Sequence, residues 1–193
     1  MSGNGRGVGA VILAAGAGRR MGGVAKALIR SGSGSGSFLT RIVETAWEVG
    51  TDDVVVVVGP PFGEAVAAEA EKLGTRVAWN AAPERGMASS VAVGFAAVEG
   101  NAAWLWPVDH PDVRAQTLRR LIDALGTHDA ARPVVRGRGG HPPLVARALW
   151  PRLAGCAEAP GGARAVLAAA DVVDVAVDDA GCVRDVDTVE DLA

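Results

Sequence analysis

Residues 11–26 read VILAAGAGRRMGGVAK, a short apolar run that breaks into glycines and ends among cations. The apolar run has the length and composition of a buried strand. Glycines directly after a strand allow bare backbone N–H groups to approach a ligand closely. Arg19, Arg20 and Lys26 follow, and positive side chains beside such N–H groups suit a polyphosphate. The segment therefore predicts a loop that binds nucleotide phosphates.

Two well-known phosphate loops do not fit the spacing of this segment. A Walker loop requires G-x-x-x-x-G-K-[ST], but Lys26 lies four residues after Gly22 and is followed by Ala27, which offers magnesium no hydroxyl. The dinucleotide fingerprint G-x-G-x-x-G fails because three residues separate Gly18 from Gly22. A plain glycine-rich turn is the alternative that needs no ligand, and the three cations weigh against it.

Composition favours a compact enzyme of the cytoplasm. The chain has 193 residues, and a chain of this length can bury roughly 70% of its unfolded surface, which is enough for one domain with a core. The formal net charge of -3 provides no basic field for nucleic acid. The longest apolar run, residues 54–58, is too short to cross a membrane. Cys156 and Cys182 lack metal-ligand spacing, so we interpret both as structural thiols of a reduced protein.

Strand and helix patterns alternate along the chain. Apolar runs at residues 8–13, 54–58 and 102–108 are typical of parallel strands buried on both faces. Helices are predicted at 38–49, 63–73, 87–98, 118–125 and 163–169, and further strands near 76–79, 134–135, 144–145 and 172–177. The order predicts an α/β fold with one doubly wound, mostly parallel sheet flanked by helices. We expect a single domain over residues 1–193, with a nucleotide-binding half at about 8–110 and an acceptor half at about 111–193.

Asp109 is the carboxylate with the clearest place in this pattern. It follows an apolar strand, at the edge where open α/β sheets bind ligands, and a carboxylate there can hold magnesium. A helix N-cap is the alternative for Asp109 and the preferred interpretation of Asp112.

A second acidic cluster lies near the end of the chain. In an extended segment Asp185 and Asp187 point to the same side, which again suits a metal, although an acidic tail is more often a solvated end. Other acidic residues nearby are interpreted as a solvated face: Asp171, Asp174, Asp178 and Asp179.

Taken together, the motifs of this chain resemble those of MobA-like nucleotidyltransferases, which include molybdenum cofactor cytidylyltransferases and guanylyltransferases. The matching motifs occur in the family's order and cover nearly the whole chain: Leu13-Ala14-Ala15-Gly16, Arg20-Met21-Gly22 with Lys26, Gly86-Met87 with Ser89-Ser90, Asp109-His110-Pro111, Gly140-His141-Pro142, and Asp185-Val186-Asp187-Thr188 with Glu190-Asp191. The resemblance implies a nucleotide-diphospho-sugar transferase-like fold. It also implies Mg²⁺-dependent transfer of a nucleoside monophosphate from a triphosphate to a phosphorylated acceptor, with release of pyrophosphate.

The resemblance further implies a role for each matching residue. The expected catalytic residues are Lys26, Arg20 and Asp109. Asp109 and Asp185 are the expected Mg²⁺ ligands, and Asp187 is a weaker candidate ligand. His141 and Arg164 are the expected acceptor contacts. Ser89 and Ser90 suit either a helix cap or a nucleotide contact. The expected nucleotide-binding residues are Leu13, Ala14, Ala15, Gly16, Gly18, Arg19, Lys26, Gly86, Met87 and Ser90.

Substrate choice is read from the same motifs. Cytidylyl members of the family tend to have Leu-Ala-Ala-Gly, as at residues 13–16, whereas guanylyl members tend to have a second glycine. CTP is therefore favoured over GTP, with molybdopterin as the acceptor and a molybdoenzyme as a candidate partner. The alternatives are a sugar-phosphate or alditol-phosphate nucleotidyltransferase, a non-catalytic nucleotide-binding protein that delivers a cofactor, and, last, a hydride-transferring oxidoreductase.

Overall fold

The computed structural model of the protein describes residues 7–16, 18, 23–30 and 36–186. Within these ranges the strands are β1 (Val8–Leu13), β2 (Thr51–Val58), β3 (Arg76–Trp79), β4 (Ala102–Pro107), β5 (Ala130–Val135), β6 (Arg138–Gly139), β7 (Leu144–Ala146) and β8 (Val172–Ala176). The α-helices there are α1 (Phe38–Glu48), α2 (Gly63–Lys72), α3 (Met87–Ala97), α4 (Ala115–Leu125), α5 (Trp150–Ala154) and α6 (Gly162–Ala168).

The strands form one mixed sheet in the order β3-β2-β1-β4-β7-β5-β6, with β8 paired to β5. Strand β1 lies between β2 and β4 and runs parallel to both, and β3 is parallel to β2. Strand β7 runs antiparallel to β4 and β5, whereas β8 is parallel to β5. This mostly parallel sheet between helices confirms the predicted α/β fold.

Successive residues of the central strands pack alternately into two hydrophobic cores, one on each face of the sheet. Ile12 packs in the cluster that contains Phe38 and Ile42 of α1. Its neighbour Val11 packs in the opposite cluster with Phe95 of α3. The two-residue period of a strand, applied to strands that are apolar throughout, explains why both faces are covered by helices.

Helix α3 lies close to the sheet at Gly94. A Cβ atom placed on Gly94 would lie 2.1 Å from Cγ1 of Val11 and 3.0 Å from Cγ2 of Val57. Only a residue without a side chain allows this approach, so Gly94 sets the position of α3 and of the loop that precedes it.

The structure confirms the predicted helices and strands with small shifts in their bounds. The main difference is β5, which begins at Ala130 rather than at residue 134, because it pairs with β7 and β8 as well as β6. No helix in the described ranges has the length and apolar character required to cross a membrane.

Two interpretations of acidic residues are wrong. Asp112 does not cap α4: Arg114 occupies the N-cap position and Asp112 forms an ion pair with Arg41. At the start of α4 it is the side chain of Asp179, and not that of Asp112, that accepts a hydrogen bond from the N–H of Arg114, over 2.9 Å. Asp179 is therefore not part of a solvated face and is only 2% exposed, whereas Asp171, Asp174 and Asp178 are exposed as expected.

Candidate active site

The carboxyl ends of the neighbouring strands β1 and β4 form the floor of the candidate active site. Leu13 ends β1, and its carbonyl accepts the N–H of Val108, just beyond β4, over 3.2 Å. The next N–H, that of Ala14, donates to the carbonyl of Val57 in β2 over 2.9 Å. These bonds place the start of the glycine-rich loop beside Asp109. An open α/β sheet binds its ligands at this edge.

A cleft of about 460 Å³ opens above this floor. It contains Asp109 and, from the described part of the chain, every residue expected to bind nucleotide: Leu13, Ala14, Ala15, Gly16, Gly18, Lys26, Gly86, Met87 and Ser90. Arg19, Arg20 and Asp187, which sequence reasoning also selected, lie outside the described residues. The structure thus brings the predicted nucleotide-binding residues that it describes, together with Asp109, into one cavity.

Gly18 shapes the loop where it returns toward Lys26. Its φ of 55° is in the left-handed region, and a Cβ atom there would lie 2.0 Å from the carbonyl oxygen of Val24. The carbonyl of Gly18 accepts the N–H of Gly23 over 3.0 Å, which holds these two glycines together. Residue 18 must therefore be glycine for the chain to come back to the cleft in this way.

Lys26 and Asp109 face each other inside the cleft. The Lys26 Nζ lies 3.9 Å from Oδ2 of Asp109, and the two side chains are 16% and 24% exposed. A short 3₁₀ turn, Lys26–Leu28, fixes the backbone at the lysine. A cation and a carboxylate at this distance provide groups for an anionic substrate and for a metal in the same small volume.

The second oxygen of Asp109 is the strongest sign of a cation site. Within the described structure Oδ1 is buried and accepts no hydrogen bond. An ionised oxygen without donors is costly to bury, and a divalent cation would remove that cost. The carbonyl of Asp109 accepts the N–H of Val186 over 3.0 Å, which brings the backbone next to Asp185 against Asp109.

A cation at this position would have few protein ligands. The described residues contain no group of three or more His, Cys, Asp and Glu side chains arranged around a metal. Asp109 and Glu84 are the carboxylates that line the cleft, and the exposed Asp185 precedes Val186, whose N–H is bound to the Asp109 carbonyl. Oxygen ligands that are few in number suit Mg²⁺, which keeps several of its waters when bound. The residues present therefore fit the implied metal.

The serine pair at the start of α3 is organised by a residue that sequence reasoning missed. Asn80 follows β3 and is buried, and its amide donates to Oγ of Ser89 over 2.8 Å and to Oγ of Ser90 over 2.9 Å. Ser89 donates to the carbonyl of Gly86 over 2.8 Å, so its role is structural. Ser90 lines the cleft. The signal for Asn80 was a polar residue directly after an edge strand.

A second cavity, of about 650 Å³, adjoins the cleft. The two share Leu13, Met87 and Pro107 in their walls. Both predicted acceptor contacts, His141 and Arg164, line this second cavity and not the first. Of the predicted nucleotide-binding residues in the described structure, Leu13 and Met87 line both cavities and the others line only the first.

His141 lies in an apolar setting against His110. The ring centroids are 4.9 Å apart and the rings are inclined by 35°. Burial, reinforced by the nearby His110, lowers the pKa of His141 from 6.5 to about 4, although Asp185 acts in the opposite direction. His141 is therefore neutral at physiological pH. In the described structure its buried Nδ1 has no hydrogen-bond partner among the protein groups, so this atom is available to a bound molecule.

The fold and this two-cavity site define a class of enzymes that transfer groups from nucleotides, and comparison with known proteins gives the family. The sequence matches the MobA-like NTP transferase domain over residues 10–175. The chain belongs to this family, and it is a nucleotidyltransferase of the EC 2.7.7 class.

Individual relatives span nearly the full length of the chain. A nicotine blue oxidoreductase of Paenarthrobacter nicotinovorans is 32% identical over 94% of this chain and 93% of its own. The crystal structure of Rv0371c from Mycobacterium tuberculosis H37Rv has a TM-score of 0.78 and 28% identity, and covers 98% of this chain and 96% of that one. A complex of the same mycobacterial protein with manganese has a TM-score of 0.69 and 25% identity, over 90% and 89% of the two chains. A divalent metal is thus found with a protein of this family.

Proposed function

We propose that this nucleotidyltransferase transfers CMP from CTP to molybdopterin and releases pyrophosphate. The observation that carries the proposal is the pair of adjoining cavities. One contains the glycine-rich loop, Lys26 and Asp109, and the other contains His141 and Arg164. Two substrates held in these cavities meet at their common wall.

The proposed reaction requires no nucleophile from the protein. A phosphate oxygen of the acceptor attacks the α-phosphorus of the nucleotide, the bond from that phosphorus to the bridging oxygen breaks, and pyrophosphate leaves with the electron pair. Mg²⁺ bound at Asp109 and Asp185, with Asp187 as the weaker candidate ligand, would neutralise charge on the attacking and departing oxygens. Lys26, Arg20 and Arg19 are assigned to the negative charge that develops on pyrophosphate.

The preference for CTP rests on the packing of Ala15 as well as on the motif. Ala15 is buried at the start of the loop, 4% exposed. A Cβ atom on Gly59 would lie 3.3 Å from the Cβ of Ala15, so the methyl group fills the space below the loop. We interpret this packing as restricting the backbone path there, which favours the smaller base and leaves GTP as the alternative.

The second cavity favours an acceptor that carries an apolar ring system. Its walls are mainly apolar, and among the described residues that line it none is acidic. Its polar side chains are Arg132, His141 and Arg164, and Arg132 is already bound to Asp174 over 2.9 and 3.0 Å. Arg164 suits a phosphate group. A sugar or alditol phosphate, the alternative acceptor, would find few partners for its hydroxyl groups.

Pyrophosphate release tests the proposal. CTP, GTP, UTP and ATP are each combined with molybdopterin and with a panel of sugar and alditol phosphates, in Mg²⁺, in Mn²⁺ and in EDTA. Release with CTP and molybdopterin, lost in EDTA, is the expected result. Release with another pair would retain the mechanism and change the substrates. Nucleotide binding without release with any acceptor would favour a protein that delivers a cofactor, with a molybdoenzyme as its candidate partner.

A redox activity is the second candidate, and the specific observation that favours it is the identity with the nicotine blue oxidoreductase. The apolar second cavity suits a planar dye as well as a pterin. Loss of nicotinamide absorbance in the presence of nicotine blue would support this candidate. Failure to bind NADH or NADPH in a direct titration would exclude it.

A further inference from the structure

A short turn near the end of the chain presents two successive carbonyl groups to the two histidines of the site. The turn is the 3₁₀ segment Ala180–Cys182. The ring Nδ1–H of His110 donates to the carbonyl of Gly181 over 3.2 Å. The backbone N–H of His141 donates to the carbonyl of Cys182 over 2.7 Å. One turn therefore orients the neighbour of Asp109 and the histidine of the second cavity together.

Asp179 begins this turn and is almost completely buried, with 2% of its surface exposed. Its Oδ1 accepts the N–H of Gly181 over 3.2 Å. Its Oδ2 accepts the N–H of Arg114 over 2.9 Å and the hydroxyl of Thr117 over 2.7 Å. Each oxygen thus faces donors, on the turn or on the start of α4, and such charge-assisted bonds are stronger than neutral ones.

The hydrogen bond between Gly181 and His110 also requires a hydrogen on one particular ring nitrogen. A carbonyl oxygen can only accept, so Nδ1 of His110 must be the donor. The same orientation puts Nε2 of His110 3.8 Å from Oδ1 of Asp109. The position of the Gly181 carbonyl therefore decides which ring atom faces the carboxylate that is expected to hold the metal.

We infer that Asp179 is a positioning residue for this site: it holds the 180–182 turn, and the turn orients His110 beside Asp109 and His141 beside the second cavity. Asp179 contacts no substrate in this scheme. For its effect on turnover the inference rests on the proposed function. Its effect on the two histidines does not, because the hydrogen bonds exist without a substrate.

The chain offers variants that separate positioning from simple stabilisation. Asp179→Asn replaces one oxygen by an NH₂ group, so an N–H must face either the Gly181 N–H or the Arg114 N–H. The oxygen that faces α4 accepts two hydrogen bonds and the oxygen that faces the turn accepts one. We therefore expect the amide oxygen to remain on Arg114 and Thr117 and the bond to the turn to be lost. Thr117→Val removes only a bond on the α4 side. Asp178→Asn, at the exposed neighbouring aspartate, is the matched control.

The first readout is the NMR spectrum of the histidine ring nitrogens at about pH 8, in protein without substrate. The chain has three histidines, so the signals are assigned with single His→Gln variants. The wild type and Thr117→Val are expected to show Nδ1 of His110 protonated in one state, and Asp179→Asn is expected to lose that state. An unchanged His110 signal in Asp179→Asn, or an equal change in Thr117→Val, would overturn the inference.

Asp179→Ser keeps the test decisive if Asp179→Asn does not fold. Serine retains an oxygen that can accept the Gly181 N–H and loses the bonds to α4. The inference expects it to be less stable and to keep the wild-type His110 signal. Loss of that signal in folded Asp179→Ser would contradict the inference.

Turnover gives the second readout. Asp179→Asn should raise the KM for molybdopterin by about tenfold, with a smaller change in the KM for CTP. Tenfold is near the lower end of the loss that follows mutation of residues that hydrogen-bond to site residues. Thr117→Val should leave both KM values unchanged despite its lower stability. If the wild type shows no transfer, the proposed function fails and the NMR result still decides the inference. Equal KM changes in the two variants would reduce Asp179 to a structural role.

Discussion

The rings of His110 and His141 lie with their centroids 4.9 Å apart, although they come from loops 31 residues apart in sequence. His110 follows the residue at the floor of the nucleotide cleft, and His141 lines the second cavity. The pair therefore links Asp109, whose Oδ1 lies 3.8 Å from Nε2 of His110, to the second cavity. We expect substitution of either histidine to affect both Asp109 and the second cavity.

Stability should decrease in mild acid because of His141. Its pKa is about 4 in the folded protein and 6.5 in the reference state, so as pH falls the unfolded chain binds the proton first. The stabilisation that comes from neutral His141 is fully present above about pH 6.5. As pH falls toward 4 it is lost, and the free energy of unfolding decreases by up to ~3 kcal/mol. Urea unfolding at about pH 7.5 and 4.5 measures it. The free energy of unfolding of His141→Gln should fall less than that of wild type between these two pH values. His128→Gln, at a partly exposed site paired with Asp171, should lose as much stability as wild type. Identical sensitivity of wild type and His141→Gln would refute the assignment.

Asp109→Asn should abolish metal-dependent turnover and leave the fold intact. The amide has the same shape and lacks the charge, so we expect kcat to fall by at least ~100-fold while the thermal midpoint stays near that of wild type. Steady-state pyrophosphate release and thermal unfolding are the two measurements. Asp171→Asn, at an exposed carboxylate, is the control. Wild-type turnover in Asp109→Asn would remove Asp109 from the metal site.

Lys26→Met should weaken binding of the triphosphate more than of the monophosphate. Methionine keeps the apolar stem and removes the charge assigned to pyrophosphate, so we expect the Kd for CTP to rise about tenfold and that for CMP to change little. Calorimetric titration with both nucleotides measures this difference. Lys72→Met changes the other lysine of the chain, which is 75% exposed, and should alter neither Kd. Equal losses for CTP and CMP would argue against a phosphate role for Lys26.

Gly94→Ala should destabilise the protein by about 1–3 kcal/mol, because the added methyl overlaps Val11 in the core. Denaturant unfolding measures the loss. Val11→Ala in the same chain should recover part of it, since it opens the space that the methyl needs. Gly155→Ala is the control: its φ is -90° and a Cβ there would lie no closer than 3.5 Å to its neighbours. A loss no greater than that of the control would show that α3 can shift away from the sheet.

The fold and the position of the cleft at the ends of β1 and β4 could be predicted because their signals are local. Apolar runs that end in glycine mark buried parallel strands, and the ends of such strands meet at one edge of the sheet. Asp109 and the loop after Leu13 were placed together on that argument, and they line one cleft.

Residues whose partners are distant in sequence could not be predicted in this way. Asp179 looked like one of several solvated acids, because its donors Arg114 and Thr117 lie more than sixty residues earlier. Asn80 was missed although Ser89 and Ser90 are near in sequence, because its role depends on where the start of α3 packs against the end of β3. Local patterns predict which edge of a sheet carries the chemistry, and tertiary packing decides which polar side chains support it.

The wall shared by the two cavities has a consequence for the end of the catalytic cycle. In the proposed reaction, a product that joins a nucleotide to its acceptor would occupy both compartments at once, across Leu13, Met87 and Pro107. Linking two bound groups raises their combined affinity above that of either alone. We therefore expect the dinucleotide product to bind more tightly than either substrate, so that its departure limits the rate and product inhibition is strong. Met87 lines both compartments and is 62% exposed, so its side chain would contact both halves of such a product.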